Sequence, residues 1–388
     1  MAKILHLIPD EKVTDNVIEN FEEIFNDNIF YVLGDENNRK YCKSKGDNII
    51  FGNEDFFVRE NISNEVKGVI IHGLNYIFAK MILRLNHNVK VAWFAWGYDI
   101  YFLPKISKGL YNAATYEYLC SRDSKFALTN SIKNNALFRF LYYKLVKGGE
   151  DYYDIYEKAH KRVDFFCTYI KEDYDLFIAK YNTSASFLDV GYFSISQYLA
   201  GQESLRVNDD AQNILIGNSN SPECNHLDVL ALLKSEDFNY EAELIVPLNY
   251  GNDFSYRQKV VDKGKELNGD KFVPLLDFMN RQDYFDLLSS CSIAIFYHNR
   301  QQAMGNIIAF LYMGGRVYLS MKNPVYRYLR RIGIHIFDLD KDFGVYGNSR
   351  LEENLVLNNR KVLELYFAKK IVYEQNKKLV EKLVNVNR

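Results

Sequence analysis

The clearest candidate for chemistry in this sequence is a cationic loop rich in amides. Arg300 is followed by Gln301 and Gln302, and then by Gly305 and Asn306 where an apolar stretch begins. A guanidinium can pair with two phosphate oxygens at once, and the first amides of a helix favour an anion. We therefore predict that this loop binds a phosphate group; the competing interpretation is an ordinary loop between a strand and a helix.

A second candidate loop combines a glycine with small polar side chains. Gly217, Asn218 and Ser219 follow an apolar run at 214–216, and a helical pattern begins near His226. Small side chains expose backbone N–H groups, which can hold an anion. This pattern predicts either a second part of a phosphate-binding site or an ordinary turn between a strand and a helix.

Two residues of the N-terminal half could activate a hydroxyl group. His72 follows one apolar run, and Asp99 follows the next, close to Trp93 and Trp96. An Asp beside aromatic rings suits a general base that faces a sugar, because the apolar face of a sugar stacks on rings. The competing interpretation is a capping Asp next to a core Trp.

The positions of these loops depend on the strands that precede them. Short apolar runs alternate with helical patterns along most of the chain, which predicts βαβ units and parallel sheets. Ligands of open α/β sheets bind beyond the carboxyl ends of the strands, where the Arg300 loop would lie. The predicted strands are residues 4–8, 29–33, 69–72, 90–95, 165–168, 213–216, 243–246, 294–297 and 316–319.

A polar stretch at 202–212 divides the strands into two sets. At ~150 residues per domain, a chain of 388 residues fits two to three domains. We therefore predict two Rossmann-like α/β domains, residues 1–205 and 206–350, followed by C-terminal helices at 351–388.

The composition and the N-terminal residues exclude several classes of protein. Lys and Arg total 48 against 50 Asp and Glu, a net charge of −2, whereas a nucleic-acid binder usually carries a basic surplus. Five scattered cysteines without a CxxC pair predict a reduced compartment and no structural zinc site. No run approaches the ~20 apolar residues of a membrane span, and the N-terminal run is too short for a signal peptide. We expect a cytoplasmic protein that binds no nucleic acid, with attachment to a membrane surface left open.

Familiar nucleotide and metal motifs are missing or weak. The sequence has neither GxGxxG nor GxxxxGK[ST], so it predicts no NAD fingerprint and no P-loop. Asp-x-Asp pairs, which can hold a divalent metal under a sugar diphosphate, occur at 173–175, 338–340 and 340–342. Among 50 acidic residues such spacings arise by chance, so we predict no metal site.

One segment departs from the mixed charge pattern. Residues 124–149 contain no acidic residue and five cationic ones, and the stretch from Lys133 to Lys147 is dense in aromatic and aliphatic side chains. A helix of this kind can lie in a bilayer interface, with its cations on anionic lipid. The alternative is a core helix with a solvated basic edge.

Four of these segments recur in matching order in a known family. Together they resemble the enterobacterial TDP-4-acetamido-4,6-dideoxygalactose:lipid-linked-acceptor transferases, also called the 4-alpha-L-fucosyltransferase family, over roughly residues 69–319. The segments are Trp96-Gly97-Tyr98-Asp99, Gly217-Asn218-Ser219 with Asn225-His226, Val246-Pro247-Leu248-Asn249-Tyr250-Gly251 and Arg300-Gln301-Gln302-Ala303-Met304-Gly305.

The resemblance implies a GT-B glycosyltransferase, whose two Rossmann-like domains face each other across a cleft. It implies transfer of a sugar from a nucleotide diphosphate to a lipid-diphosphate-linked saccharide at the cytoplasmic membrane face, in surface polysaccharide synthesis. It implies neither metal nor cofactor besides the donor substrate. Asp99 is then the first choice for the base that activates the acceptor, and His72 the second. The donor would be held in the C-terminal domain by Gly217, Asn218, Ser219, His226, Tyr250, Arg300, Gln301, Gln302, Gly305 and Asn306.

The sequence departs from this family pattern in two places. Many GT-B enzymes hold the ribose with a Glu on the helix after the glycine loop, whereas Ile308, Ala309 and Phe310 occupy that stretch here. The aromatic region at 142–156 is longer than in the family. The sequence therefore leaves the identities of the nucleotide and of the acceptor open.

Two other functions remain compatible with the sequence. One is a nucleotide-sugar epimerase on the same fold, and the other is a non-catalytic protein that binds a nucleotide sugar or a glycan. Asp99 and His72 at strand ends favour catalysis over binding alone.

Overall fold

The computed structural model describes residues 3–53, 66–147, 149, 151–235 and 242–384. These residues form two compact units. Unit 1 is built from the ranges Met1–Lys108, Asn130–Ser194 and Lys369–Arg388, and unit 2 from Gly109–Thr129 and Ile195–Ala368. Each unit contains one parallel sheet.

The strands of the two sheets follow one another along the chain. Those of unit 1 are β1 (Lys3–Pro9), β2 (Asn28–Leu33), β3 (Ile49–Gly52), β4 (Val66–His72), β5 (Lys90–Phe94), β6 (Phe165–Cys167) and β7 (Ser186–Leu188). Those of unit 2 are β8 (Asn213–Ile216), β9 (Leu244–Pro247), β10 (Phe272–Leu275), β11 (Cys291–Phe296), β12 (Arg316–Leu319) and β13 (Phe337–Asp338).

Helices connect these strands. They are α1 (Thr14–Glu22), α2 (Tyr76–Leu83), α3 (Tyr98–Tyr101), α4 (Ala113–Arg122), α5 (Phe126–Asn134), α6 (Ala136–Tyr142), α7 (Tyr152–Arg162), α8 (Lys171–Ile178), α9 (Ile195–Leu199), α10 (His226–Ser235), α11 (Phe254–Asn268), α12 (Arg281–Ser289), α13 (Met304–Met313), α14 (Pro324–Arg331), α15 (Leu339–Tyr346), α16 (Glu353–Tyr366) and α17 (Lys369–Val384). Short 3₁₀ turns lie at Glu36–Asn38, Pro222–Cys224 and Gly269–Lys271, and a π turn at Tyr143–Lys147.

The sheet of unit 1 has the order β3-β2-β1-β4-β5-β6-β7, and its strands pair in parallel. The chain winds outward from β1 in one direction, returns to β4, and then winds outward in the other. The carboxyl ends of β1 and β4 therefore form the crevice at which open α/β sheets bind ligands.

The sheet of unit 2 repeats this plan. Its order is β10-β9-β8-β11-β12-β13, again with parallel pairing, so the strand order reverses between β8 and β11. Both of these strands are buried almost throughout. Their apolar side chains pack with those of α10 into the core of the unit.

The sequence predicted the interior of both sheets and missed their edges. All nine predicted strands are present. The four unpredicted strands β3, β7, β10 and β13 are the outermost strands of the two sheets. These edge strands are only two to four residues long, and most of their side chains are only partly buried.

The division into units differs from the predicted boundaries in three places. The chain passes from unit 1 to unit 2 at Ser194 and Ile195, before the predicted division between residues 205 and 206. The segment Gly109–Thr129 belongs to unit 2, and the last helix, α17, returns to unit 1. Residues 385–388 of the predicted C-terminal helices lie outside the described residues.

Apolar packing explains why α17 belongs to unit 1. Leu379 and Leu383 are fully buried in the core of that unit. The side chain of Leu383 lies over Gly68 of β4, where a Cβ would come within 2.6 Å of it. The apolar face of α17 thus covers one face of the sheet.

Hydrogen bonds explain why α4 belongs to unit 2. The carboxylate of Asp228, in the first turn of α10, accepts hydrogen bonds from the amides of Ala114 and Thr115 at 2.8 and 3.0 Å. It therefore satisfies the free N–H groups at the start of α4.

The acid-free segment forms α5, α6 and the π turn. None of the described helices has the length and apolarity needed to cross a bilayer. In α6 and the π turn, Leu137, Phe138, Leu145 and Val146 are each more than half exposed. Arg139 is instead buried and pairs with Asp151 at 2.6 Å. The segment is therefore neither a membrane span nor a core helix.

Candidate active site

Gly217 lies at the reversal point of the sheet in unit 2, directly after β8. Its backbone φ is +69°, and its amide donates to the carbonyl of Ile295 on β11 at 2.9 Å. A Cβ at this position would lie 2.5 Å from Nε2 of His226. Only glycine combines this backbone conformation with so close an approach.

Gln302 joins the loops that follow β8 and β11. Its Nε2 donates to Oδ1 of Asn218 at 2.9 Å and lies 3.4 Å from Oγ of Ser219. Its Oε1 accepts a hydrogen bond from Nε of Arg300 at 2.9 Å. The structure therefore brings four of the predicted donor residues into one hydrogen-bonded group.

The terminal nitrogens of Arg300 remain available to a ligand. The side chain is half-buried, and Gln302 binds it only through Nε. Among the described residues, the two Nη groups have no hydrogen-bond partner. A guanidinium held at Nε with both Nη groups free is oriented to bind an anion.

Helix α13 begins at the same place. Ala303 precedes it in the left-handed conformation, with φ of +61°, and no side chain caps the first amides. Gly305 in the first turn is exposed. The open amides and the helix dipole favour an anion beside Arg300.

His226 packs behind the glycine loop and is not exposed at all. Its backbone amide donates to the hydroxyl of Tyr256 at 3.0 Å. Among the residues that the structure describes, neither ring nitrogen has a hydrogen-bond partner. Burial lowers the pKa of His226 to about 3, so the ring is neutral at pH 7.

The remaining predicted donor residues have separate surroundings. Tyr250, after β9, is 55% exposed, and its carbonyl accepts from the amide of Asn220 at 2.7 Å. Asn306 donates to the hydroxyl of Tyr284 at 3.2 Å. Oε1 of Gln301 is buried and has no hydrogen-bond partner within the described ranges. The structure thus links Asn306 to α12 through Tyr284.

The sequence did not reveal two further residues that position the loops. Asn225, in the left-handed conformation at φ +53°, donates to the carbonyls of Leu110 and Tyr297 at 3.2 and 3.0 Å. His298 is fully buried, and its Nε2 lies 3.3 Å from Sγ of Cys224. Their places in the polar loops were visible in the sequence, but nothing showed that they hold these loops together.

Asp99 in unit 1 is completely buried, and its carboxylate accepts hydrogen bonds from the protein. Its Oδ2 accepts from the amide of Leu74 at 2.8 Å and from Nε1 of Trp93 at 2.6 Å, and its Oδ1 accepts from the amide of Trp96 at 2.9 Å. Burial raises the pKa of Asp99 to about 6, although these hydrogen bonds lower it. This geometry matches the competing interpretation, a capping Asp beside a core Trp.

His72 belongs to a buried polar chain. Its Nδ1 lies 2.8 Å from the hydroxyl of Tyr192, and its Nε2 lies 3.0 Å from Nδ1 of His6. Nε2 of His6 lies 3.1 Å from Oδ1 of Asn28, which can only accept. His6 therefore donates from Nε2 and accepts at Nδ1, so His72 donates to it and accepts from Tyr192.

The predicted bases therefore do not form an accessible pair. Both side chains are fully buried. Protein donors bind Nδ1 of His72 and both carboxylate oxygens of Asp99. Because neither side chain is exposed, a substrate hydroxyl does not reach either residue in this structure, which favours a positioning role for both.

The Asp-x-Asp pairs also have structural roles. Asp173 accepts a hydrogen bond from the hydroxyl of Tyr101 at 2.5 Å. Asp338 precedes α15 and caps it through the amide of Asp340. Asp340 itself accepts from the hydroxyl of Tyr297. Within the described ranges, no three His, Cys, Asp or Glu residues group in a way that could hold a metal.

Solved structures of other proteins share this architecture along nearly their whole length. The N-terminal domain of trehalose-6-phosphate phosphatase from Candida albicans has 10% identity and a TM-score of 0.63, covering 99% of this chain and 97% of that one. Sucrose-phosphate synthase from Thermosynechococcus elongatus has 9% identity and a TM-score of 0.61, with coverage of 99% and 100%. HepE from Anabaena, in complex with UDP and glucose, has 11% identity and a TM-score of 0.60, with coverage of 98% and 100%. The fold is that of the GT-B glycosyltransferases.

A family model covers more than half of the chain. It describes the 4-alpha-L-fucosyltransferases, glycosyl transferase group 56, and matches residues 152–379. The match includes the whole loop group around Gly217, Arg300 and Gln302. The chain therefore belongs to the 4-alpha-L-fucosyltransferase family, group 56, and is a glycosyltransferase.

Proposed function

We propose that this glycosyltransferase moves 4-acetamido-4,6-dideoxygalactose from a TDP-linked donor to a lipid-diphosphate-linked saccharide, as part of surface polysaccharide synthesis. The observation that carries the donor half of this proposal is the loop group at the reversal point of unit 2. There the guanidinium of Arg300 is held by Gln302 at 2.9 Å, beside the uncapped start of α13.

This arrangement suits the chemistry of glycosyl transfer. As the bond from the sugar to the diphosphate breaks, negative charge grows on the leaving oxygen while the sugar gains oxocarbenium character. Arg300 and the first amides of α13 are fixed donors for that charge, whereas the amide of Gly217 is already bound to the carbonyl of Ile295. These donors supply this stabilisation from the protein's own groups.

The residues in the first turns of α13 favour a donor whose nucleotide contains deoxyribose. The helix contains no carboxylate, and Ile308, Ala309 and Phe310 are buried in the core. A Glu on this helix would bind the ribose hydroxyls of a ribonucleotide. TDP lacks the 2′-hydroxyl, so it needs that contact less than UDP does. We therefore expect TDP to bind at least as tightly as UDP.

We further propose that α6 and the π turn attach the protein to the cytoplasmic membrane face, where a lipid-linked acceptor would be met. Leu137, Phe138, Leu145 and Val146 form the membrane patch. They are 54–75% exposed, and Lys144 and Lys147 lie among them in the sequence. Exposed apolar groups with interspersed cations suit an anionic lipid surface.

The central experiment measures the release of TDP from TDP-4-acetamido-4,6-dideoxygalactose, with and without membrane extract as the source of acceptor. We expect release that depends on the extract, and its loss in Arg300→Ala with native-like folding. An isomerised donor without release would instead indicate an epimerase. Tight binding with neither outcome would indicate a binding protein, and wild-type turnover in Arg300→Ala would contradict the phosphate role.

A further inference from the structure

Two exposed aromatic side chains follow neighbouring strands of the sheet in unit 2. Tyr250 follows β9 and is 55% exposed, and Phe278 follows β10 and is 85% exposed. The last residues of the two strands, Pro247 and Leu275, are paired with each other, and each aromatic side chain comes three residues later in the sequence. Tyr250 and Phe278 therefore occupy equivalent places at the carboxyl edge of the sheet.

Hydrogen bonds join the two loops that carry these side chains. The amide of Leu248 donates to the carbonyl of Leu275 at 2.9 Å, and Nδ2 of Asn249 donates to the carbonyl of Asp277 at 2.8 Å. The contact between the strands thus continues past their ends, up to the residue before each aromatic side chain. The two rings therefore extend from neighbouring segments that are bound to each other.

The loop after β9 is also joined to the glycine loop after β8. The amide of Asn220 donates to the carbonyl of Tyr250 at 2.7 Å, and its Nδ2 donates to the carbonyl of the next residue at 3.3 Å. In the same glycine loop, Asn218 accepts a hydrogen bond from Gln302, which in turn binds Arg300. A continuous set of hydrogen bonds therefore connects the loops of the two aromatic side chains to the guanidinium.

A nucleotide whose phosphates lie at the reversal point must extend its base across the strand ends on one side of that point. Neighbouring strands are about 4.8 Å apart, so the ends of β9 and β10 lie about 5 and 10 Å from the end of β8. On the other side, residues 320–323 after β12 include no aromatic residue, and β13 runs directly into α15. The exposed aromatic rings therefore lie on the β9 side of the reversal point.

We propose that Phe278 and Tyr250 stack on the base of the donor nucleotide, an inference that rests on the TDP-linked donor proposed above. The flat face of a base stacks favourably on aromatic rings. With the diphosphate at Arg300 and at the start of α13, the base lies across the ends of β9 and β10. The two rings then contribute affinity for the nucleoside part of the donor, whereas Arg300 contributes affinity for its phosphates.

The test measures the Kd for TDP by calorimetry. Phe278→Ala should raise this Kd about 5- to 150-fold, because the base loses a stacking partner, and Tyr250→Ala should raise it as well. Phe278→Trp keeps a ring that can stack and should bind TDP with an affinity close to that of the wild type. TDP should also quench the fluorescence of Phe278→Trp more than that of the wild type, whose two tryptophans belong to unit 1.

Tyr346→Ala is the matched control. Tyr346 is another exposed aromatic side chain of unit 2, but it contacts Arg316 at the start of β12, at the opposite edge of the sheet. This variant should bind TDP as the wild type does. A wild-type Kd in Phe278→Ala, or equal losses in Phe278→Ala and Tyr346→Ala, would overturn the role of Phe278 and leave the transferase activity standing. If the wild-type protein itself bound no TDP, the proposed donor would be wrong, and this inference with it.

Discussion

The side chain of Gln302 donates from Nε2 to Oδ1 of Asn218 at 2.9 Å, which ties together the loops after two neighbouring strands of unit 2. The same side chain accepts from Nε of Arg300. A glutamine is suited to this place because its amide donates to one loop and accepts from the other. The orientation of the cation thus depends on a residue that need not touch the substrate.

Replacing Gln302 should therefore weaken donor binding through Arg300. We expect Gln302→Ala to raise the Kd for TDP about tenfold, equivalent to about 1.4 kcal/mol, because the guanidinium loses its fixed orientation. Calorimetric titration with TDP measures this. Gln258→Ala, on the exposed face of α11, is the control and should bind as the wild type does. An unchanged Kd in Gln302→Ala would contradict the positioning role.

Adding one methyl group to Gly217 should disturb the glycine loop more than adding one to Gly109. Both glycines have positive φ, +69° and +90°. A Cβ at Gly217 would lie 2.5 Å from Nε2 of His226, whereas a Cβ at Gly109 has nothing within 4 Å. Both alanine variants should lose about 1–3 kcal/mol for the backbone conformation, and only Gly217→Ala should also lose TDP affinity. Thermal unfolding and TDP titration measure the two effects, and equal affinity in both variants would contradict the close packing.

The sequence predicted the positions of the loops around Gly217 and Arg300 better than the surroundings of Asp99, for a physical reason. The loops around Gly217 and Arg300 follow continuous apolar strands, and the position of a strand end fixes the position of its loop. Whether a carboxylate is free depends instead on which amides the fold brings to it. Asp99 meets the amides of Leu74 and Trp96 only in the folded chain.

Local sequence patterns also failed to predict the edge strands and the unit to which the last helix belongs. A run such as that of β8, buried on both faces, is visible as a row of apolar residues. The half-buried β10 is also apolar, but Pro274 lies within it, and a proline argues against a central strand. The return of α17 to unit 1 depends on contacts between Leu383 and Gly68, far apart in sequence, so local patterns carry no signal for it.

Asp99→Asn should act on the stability of the protein and leave donor binding intact. An amide has one acceptor oxygen, so its NH₂ group would face the N–H donors of Leu74 or Trp96 that Asp99 now satisfies. We expect a loss of about 2–4 kcal/mol in the free energy of unfolding, measured by chemical denaturation. The Kd for TDP should stay at the wild-type value. Asp47→Asn, at an exposed position, should leave both quantities unchanged, and wild-type stability in Asp99→Asn would contradict the role of these bonds.

The membrane patch predicts binding to vesicles that contain anionic lipid. Leu145 and Val146 are 75% and 68% exposed. The double variant Leu145→Ser, Val146→Ser should sediment less with phosphatidylglycerol vesicles. Leu357 and Leu365 on α16 are 55% and 64% exposed, so their double serine variant is a matched control that should bind as the wild type does. Equal loss in both double variants, or equal binding to neutral vesicles, would contradict the patch as the attachment site.

Buried neutral histidines should make the protein sensitive to acid. Burial lowers the pKa of His6, His160 and His226 to about 3, and that of His72 and His298 well below its ordinary value. The unfolded chain therefore binds more protons than the folded one below pH ~6.5. The stability is fully present above that pH and should fall as the pH falls.

The contribution of a single histidine to the dependence of stability on pH can be measured. Each such histidine contributes up to about 1.4 kcal/mol per pH unit between its unfolded and folded pKa, while Asp99, whose pKa is raised to about 6, offsets part of the loss below pH 6. His160 stacks on Trp93 at 5.2 Å, and neither of its ring nitrogens has a hydrogen-bond partner in the described part of the chain. His160→Phe should therefore keep the packing and remove one titrating group. Denaturation midpoints at pH 8, 7, 6 and 5 should fall less steeply in His160→Phe than in the wild type, and identical pH profiles would show that folding does not lower the pKa of His160.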